Sequence, residues 1–145
     1  MSQLTEQNVR TSLAVGFQDG LLPERLQPYA GRAHRAISAA AEFPFEDSQF
    51  EVVMLDGSCV NALLVREAHR VLRPAGRLMF EVAEKTRSQD GMTLPDIYKI
   101  VREGFNIVEV VRQPWWLFGL RGRTIYICAQ KKNWRNHTNT YRPYI

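Results

Sequence analysis

Phe50-Glu51-Val52-Val53-Met54-Leu55 runs straight into Asp56-Gly57-Ser58, and this junction decides the fold. The first six residues are β-branched or apolar apart from Glu51 and read as a buried strand. Asp, Gly and Ser are turn formers and end it. From Val60 to Leu72, the apolar residues Val60, Leu64, Ala68, Val71 and Leu72 recur at helical spacing, with Arg66, Glu67, Arg70 and Arg73 on the polar face. Pro74 and Gly76 stop that helix, and Arg77-Leu78-Met79-Phe80-Glu81-Val82 reads as a second strand. Strand, helix and strand with short joints make a βαβ unit, which requires parallel strands and a right-handed crossover.

Working outward, Ala83 to Met92 is polar and is expected to be a loop. Thr93-Leu94-Pro95-Asp96 has the form of a helix cap, with Pro95 in the first turn, and Gly104 is placed to end that helix. Strands are expected over Asn106–Val111 and Thr124–Ala129. The segment between them, Arg112 to Arg123, carries Pro114, Trp115, Trp116, Phe118, Gly119 and Gly122 and reads as a long connection. Its aromatics suit either the wall of an acceptor pocket or packing against the sheet or a second copy. A body over residues 1–130 and a basic, aromatic tail over 131–145 complete the expected organisation.

The 145 residues suffice for one domain, and 45% apolar with 23% charged residues is ordinary globular usage. All 15 acidic residues lie at or before Glu109, whereas residues 112–145 hold seven basic ones and no acid. A chain split in this way is not a uniformly basic nucleic-acid binder. The tail, with Trp134, Tyr141 and Tyr144, has the composition for stacking on single strands, but a solvated extension is the simpler reading and no nucleic-acid partner is expected. No apolar run is long enough for a bilayer, and MSQLTEQNVR lacks a signal-peptide pattern, so a cytoplasmic protein without a membrane span is expected. Cys59 and Cys128 have no metal-ligand spacing, and no metal is expected. Cys59 reads as a small, partly buried residue and His69 as a solvent-facing or satisfied helix residue.

Two segments carry a resemblance. Phe43-Pro44-Phe45-Glu46-Asp47-Ser48-Gln49-Phe50-Glu51-Val52-Val53 resembles the "LPF-x-D-x-x-FD-V-V" segment of class I S-adenosylmethionine-dependent methyltransferases, in the group called type 11. Arg66-Glu67-Ala68-His69-Arg70-Val71-Leu72-Arg73-Pro74-Ala75-Gly76-Arg77-Leu78 is similar to that group's "E-x-x-RVL-K/R-PGG-x-L". The two occur in the family's order, and the likeness spans residues 40–130. It implies an α/β fold: a Rossmann-like, mostly parallel sheet with helices on its faces and an antiparallel edge pair, here truncated in the cofactor-binding half.

Leu13-Ala14-Val15-Gly16-Phe17-Gln18-Asp19-Gly20 resembles the family's "L-D-V-G-C-G-T-G" cofactor loop, with Gly16 and Gly20 matching its outer glycines. Ala14 replaces the family's acid and Gln18 its middle glycine. The resemblance implies S-adenosylmethionine as cofactor, with Gly16, Gly20 and Asp56 as its binding residues. It also implies methyl transfer to a small-molecule acceptor, the catalytic residues being unassigned. Leu21 to Tyr29 would form the first helix, begun near Pro23 and ended by Pro28, and Arg35–Ser38 the second strand. The family's next acidic residue has no counterpart in Ser38-Ala39-Ala40-Ala41, and the helix and strand that normally follow are missing. One sheet face is therefore expected to be exposed, and a homo-oligomer such as a dimer is expected to complete it. The same departures leave open a non-catalytic, methyltransferase-like binding or dimerisation module.

Overall fold

The computed structural model describes residues 9–132 except Ser88, Phe118 and Gly119, and gives no side-chain surroundings for 115–121. Six strands form one sheet: β1 (Thr11–Val15), β2 (Ala33–Ile37), β3 (Phe50–Leu55), β4 (Leu72–Ala83), β5 (Phe105–Leu117) and β6 (Leu120–Lys131). Two α-helices, α1 (Ala62–Val71) and α2 (Leu94–Val101), join β3 to β4 and β4 to β5. The strand order is β2-β1-β3-β4-β6-β5. The first four strands are parallel, and β6 runs antiparallel to both neighbours.

The βαβ reading holds: β3, α1 and β4 follow one another with the expected parallel pairing. Both helix caps are made by side chains. Asn61 Oδ1 accepts from the Leu64 amide at 3.0 Å, and Thr93 Oγ1 from the Asp96 amide at 3.3 Å, as the Thr93 cap predicts.

Period-two alternation sorts the sheet residues onto two faces. Leu13, Val15, Val53, Leu55, Leu78, Phe80, Ile125 and Ile127 lie on one face with Leu64, Val65, Ala68, Ile97 and Val101 of the two helices. Val52, Met54, Met79, Tyr126 and Cys128 face the other way and pack with Val9 and Leu26, flanked by Phe17, Leu22 and Tyr29.

That second face corrects two expectations. Leu21 to Tyr29 is not an α-helix: it holds a single turn closed on Pro23 O by the Leu26 and Gln27 amides and a 3₁₀ turn at Gln27–Tyr29. Pro23 and Pro28 interrupt any regular hydrogen-bond ladder, so the segment crosses the sheet as an irregular strap. Nor is the face bare. Val52 and Met54 are fully buried, because Leu26, also fully buried, sits over them in place of a helix. Arg25 fastens the strap from its polar side: it donates to Gln113 Oε1 at 2.6 Å, pairs with Glu81 at 3.9 Å and lies 5.0 Å from the Tyr126 ring centre.

The long connection expected between the last strands is instead the end of a hairpin. β5 continues to Leu117 and β6 begins at Leu120, with Trp115 paired to Gly122 and Trp116 to Arg121. Alternating β-formers carry the ladder past Pro114, which stands on an edge strand where its missing N–H is tolerated. Phe118, Trp134, Tyr141, Tyr144 and all of the tail beyond Lys132 lie outside the described residues.

The Pro-Ala-Gly turn leaves a strained residue. β3 and β4 pair at Phe50–Leu72 and next at Val52–Arg77, so the intervening β4 residues bulge outward. Ala75 takes a φ of 66° there. A Cβ in the left-handed region costs about 1–2 kcal/mol. Ala75→Gly is therefore expected to stabilise the protein by about 1 kcal/mol, read as a higher urea midpoint with an unchanged slope.

Candidate functional site

In an open α/β sheet, ligands bind beyond the carboxyl ends of the strands where strand order reverses. Here the chain moves from β1 outward to β2 and then returns to the far side of β1 to lay down β3. The reversal lies between β1 and β3, and the residues leaving these two strands are Gly16 and Asp56.

Backbone bonds hold the two together. The Asp56 amide donates to Val15 O at 2.9 Å, and the Gly16 amide to Ile37 O at 2.9 Å, tying the ends of β1, β2 and β3 into one rim. Gly16 has φ 85°, and a Cβ built on it would lie 2.8 Å from Cys59 Sγ and 3.5 Å from Asp56 Cβ. Only glycine both makes this turn and admits Cys59. Gly20 has φ 69°, and a Cβ there would meet nothing within 4 Å. The structure thus brings Gly16 and Asp56 together and leaves Gly20 at the end of the following turn, beside open space.

Asp56 caps the turn Gly57–Cys59, accepting from the Ser58 amide at 3.3 Å and from the Ser58 hydroxyl, both at Oδ2. Ser58 reads in the sequence as a turn former only; the acceptor-then-hydroxyl spacing of an Asx turn is the signal for its bond to Asp56. Cys59 donates to Asp56 O at 3.2 Å and to Val15 O at 3.6 Å. Burial, reinforced by the Asp56 charge, raises its thiol pKa. It is therefore a poor nucleophile at neutral pH.

His69 stands at the opposite end of α1 from the Asn61 cap that follows the rim. It lies in the last turn of α1, its ring edge-on to Phe105 at 5.3 Å, and a Cβ on Gly104 would come within 2.6 Å of it. Burial lowers its pKa and favours the neutral ring, as expected of a packing residue. Among the described residues no cluster of three His, Cys, Asp or Glu could hold a metal ion, and no helix is long and apolar enough to cross a membrane.

The residues fit S-adenosylmethionine in part. A glycine turn with free space beyond it stands on one side of the reversal and a carboxylate on the other. The end of β2, however, supplies Ile37 and Ser38 rather than an acid, and no acidic residue occurs from Arg25 to Ala41.

No family model matches the sequence, and no curated protein matches it. Solved structures do. A S-adenosylmethionine-dependent methyltransferase of Methanosarcina mazei superposes with a TM-score of 0.64 at 13% identity, over 89% of this chain and 94% of that one. The 1,6-didemethyltoxoflavin-N1-methyltransferase of Burkholderia thailandensis, solved with 1,6-didemethyltoxoflavin and S-adenosylhomocysteine bound, gives 0.64 at 18% identity over 88% and 73%. With the strand order, the antiparallel β6 and the rim at β1 and β3, these likenesses establish that the chain has the class I S-adenosylmethionine-dependent methyltransferase fold.

Proposed function

We propose that this protein binds S-adenosylmethionine at the β1–β3 rim through Gly16, Gly20 and Asp56, and transfers its methyl group to a small-molecule acceptor. The observation carrying the reading is the meeting of Gly16 and Asp56 at the point of strand-order reversal. When bound, the cofactor supplies an electrophilic methyl on its sulfonium. The chain's own task is to hold acceptor and cofactor in line and keep water out, which needs no fixed triad. The Burkholderia thailandensis neighbour, a 1,6-didemethyltoxoflavin-N1-methyltransferase solved with 1,6-didemethyltoxoflavin bound, supports the acceptor class.

Titration of the protein with S-adenosylhomocysteine in a calorimeter tests the reading. Saturable binding in the micromolar range is expected, and Gly16→Val should abolish it. Because valine at φ 85° also strains the rim, a second readout on the unaltered chain is needed. Cys59 is half-buried whereas Cys128 is 2% exposed, so iodoacetamide should label Cys59 first. Bound ligand should slow that labelling several-fold. Neither heat nor protection at millimolar ligand would overturn the cofactor reading. It would favour the second one, a methyltransferase-like module without cofactor, for which the missing β2 acid and Gln18 speak.

A further inference from the structure

We infer that the cleft holds its nucleoside without gripping the ribose hydroxyls, so that ribo and 2′-deoxy forms of the ligand bind alike; this rests on the cofactor reading above. In doubly wound sheets the ribose is held by an acidic side chain about 20 residues beyond the glycine turn, at the end of the second strand. The register identifies that place here. Val15 pairs with Ile37, and the Gly16 amide bonds to Ile37 O, so Ser38 is the residue beside Gly16 on the neighbouring strand end.

Ser38 is exposed and is followed by Ala39, Ala40 and Ala41, so that strand end carries one neutral hydroxyl and no charge. No other carboxylate takes its place: Glu42, the nearest in the chain, is exposed and lines a pocket with Phe43, Phe45 and Arg70, none of which belongs to the rim. Asp56 commits Oδ2 twice to Ser58, and Asp19 belongs to an exposed turn after Gly16. A serine hydroxyl facing water exchanges one hydrogen bond for another and gains little, whereas a carboxylate accepting from a ribose diol gains a charge-assisted pair.

The experiment compares S-adenosylhomocysteine with its 2′-deoxy analogue by calorimetry, on the unaltered protein and on Ser38→Asp. The unaltered protein should bind the two within about threefold. A carboxylate on the 2′-hydroxyl separates them by roughly tenfold or more. Ser38→Asp should therefore tighten the ribo ligand by roughly tenfold, leave the deoxy ligand unchanged and leave the thermal midpoint where it was. A tenfold preference for the ribo ligand in the unaltered protein would overturn the inference. So would a Ser38→Asp protein that gains for both ligands equally or for neither. Absence of binding by both ligands to both proteins is a different result; it removes the cofactor reading and this inference with it.

Discussion

Gly57→Ala is expected to destabilise the protein by about 3 kcal/mol, at the upper end of what overpacking usually costs. A Cβ on Gly57 would stand 2.3 Å from Glu81 O and 3.2 Å from Val82 Cα. Both obstacles are backbone of β4, which is paired on each side, to β3 and to β6. No flexible side chain can swing away. Relief requires either opening the β3–β4 ladder near Leu55–Phe80 or pushing the Asp56 turn off the sheet. The second route moves Asp56 from Gly16, so the variant should lose S-adenosylhomocysteine binding along with stability. Urea unfolding at neutral pH measures the first effect and calorimetry the second. A midpoint within about 0.5 kcal/mol of the unaltered protein would show that the turn can move freely, and the rim would then be no fixed site.

The contrast between the two halves of the chain shows what could be read from its residues. The β3–α1–β4 unit was legible because its signals are local: a short apolar run, a 3.6-residue stripe and a Pro-Gly stop. The Thr93 cap was legible for the same reason, since Thr93 and Asp96 meet within one turn. The strap over the second face was not. Its conformation is set by where Leu22, Leu26 and Tyr29 land on Met54, Met79 and Tyr126, and these contacts join residues far apart in the sequence. The family resemblance implied a helix over Leu21 to Tyr29, and Pro23 and Pro28 do not allow one. The continuation of β5 and β6 was hidden by turn-forming residues, Pro114 and Gly122, that an edge hairpin accommodates through ladder bonds.

The candidate rim divides in the same way. Gly16 and Asp56 were separate expectations, one taken from a glycine loop and one from a strand end. Only the strand order brings them together. The sequence could not show that the flank of Gly16 is filled by Cys59, which gives that glycine a packing reason as well as a ligand-binding one. Ser38 was legible as a missing acid, and the register adds that it stands next to Gly16.

Arg70→Ala should cost about 2–3 kcal/mol, because the side chain binds together the two segments that carry the family resemblance. Its Nη1 donates to Phe45 O at 2.8 Å and to Asp47 at 3.0 Å. Its Nη2 donates to Phe43 O at 3.0 Å and to Glu67 Oε1 at 2.9 Å, and Nε reaches Glu67 Oε2 at 3.1 Å. Glu67 in turn accepts from the Phe43 amide at 2.8 Å. The Phe43–Phe50 segment is thereby clamped to α1, which places Phe50 at the head of β3. Asp47 is 76% exposed and contributes little; the two carbonyls and Glu67, whose side chain is 15% exposed, carry the effect. Arg70→Lys keeps the charge but not the fork, so it should recover less than half of the loss. The pH dependence separates this clamp from simple packing. The Arg70 hydrogen bond holds the Glu67 carboxyl below its ordinary value of 4.5, so the pair's stabilisation is present above that value and is lost as pH falls through the folded-state value. The two proteins should therefore differ most at pH 7 and less in acid, where only the bonds to Phe43 O and Phe45 O remain. An unchanged difference across that range would assign the loss to the two carbonyl bonds and the packing of the arginine stem, and not to the ion pair.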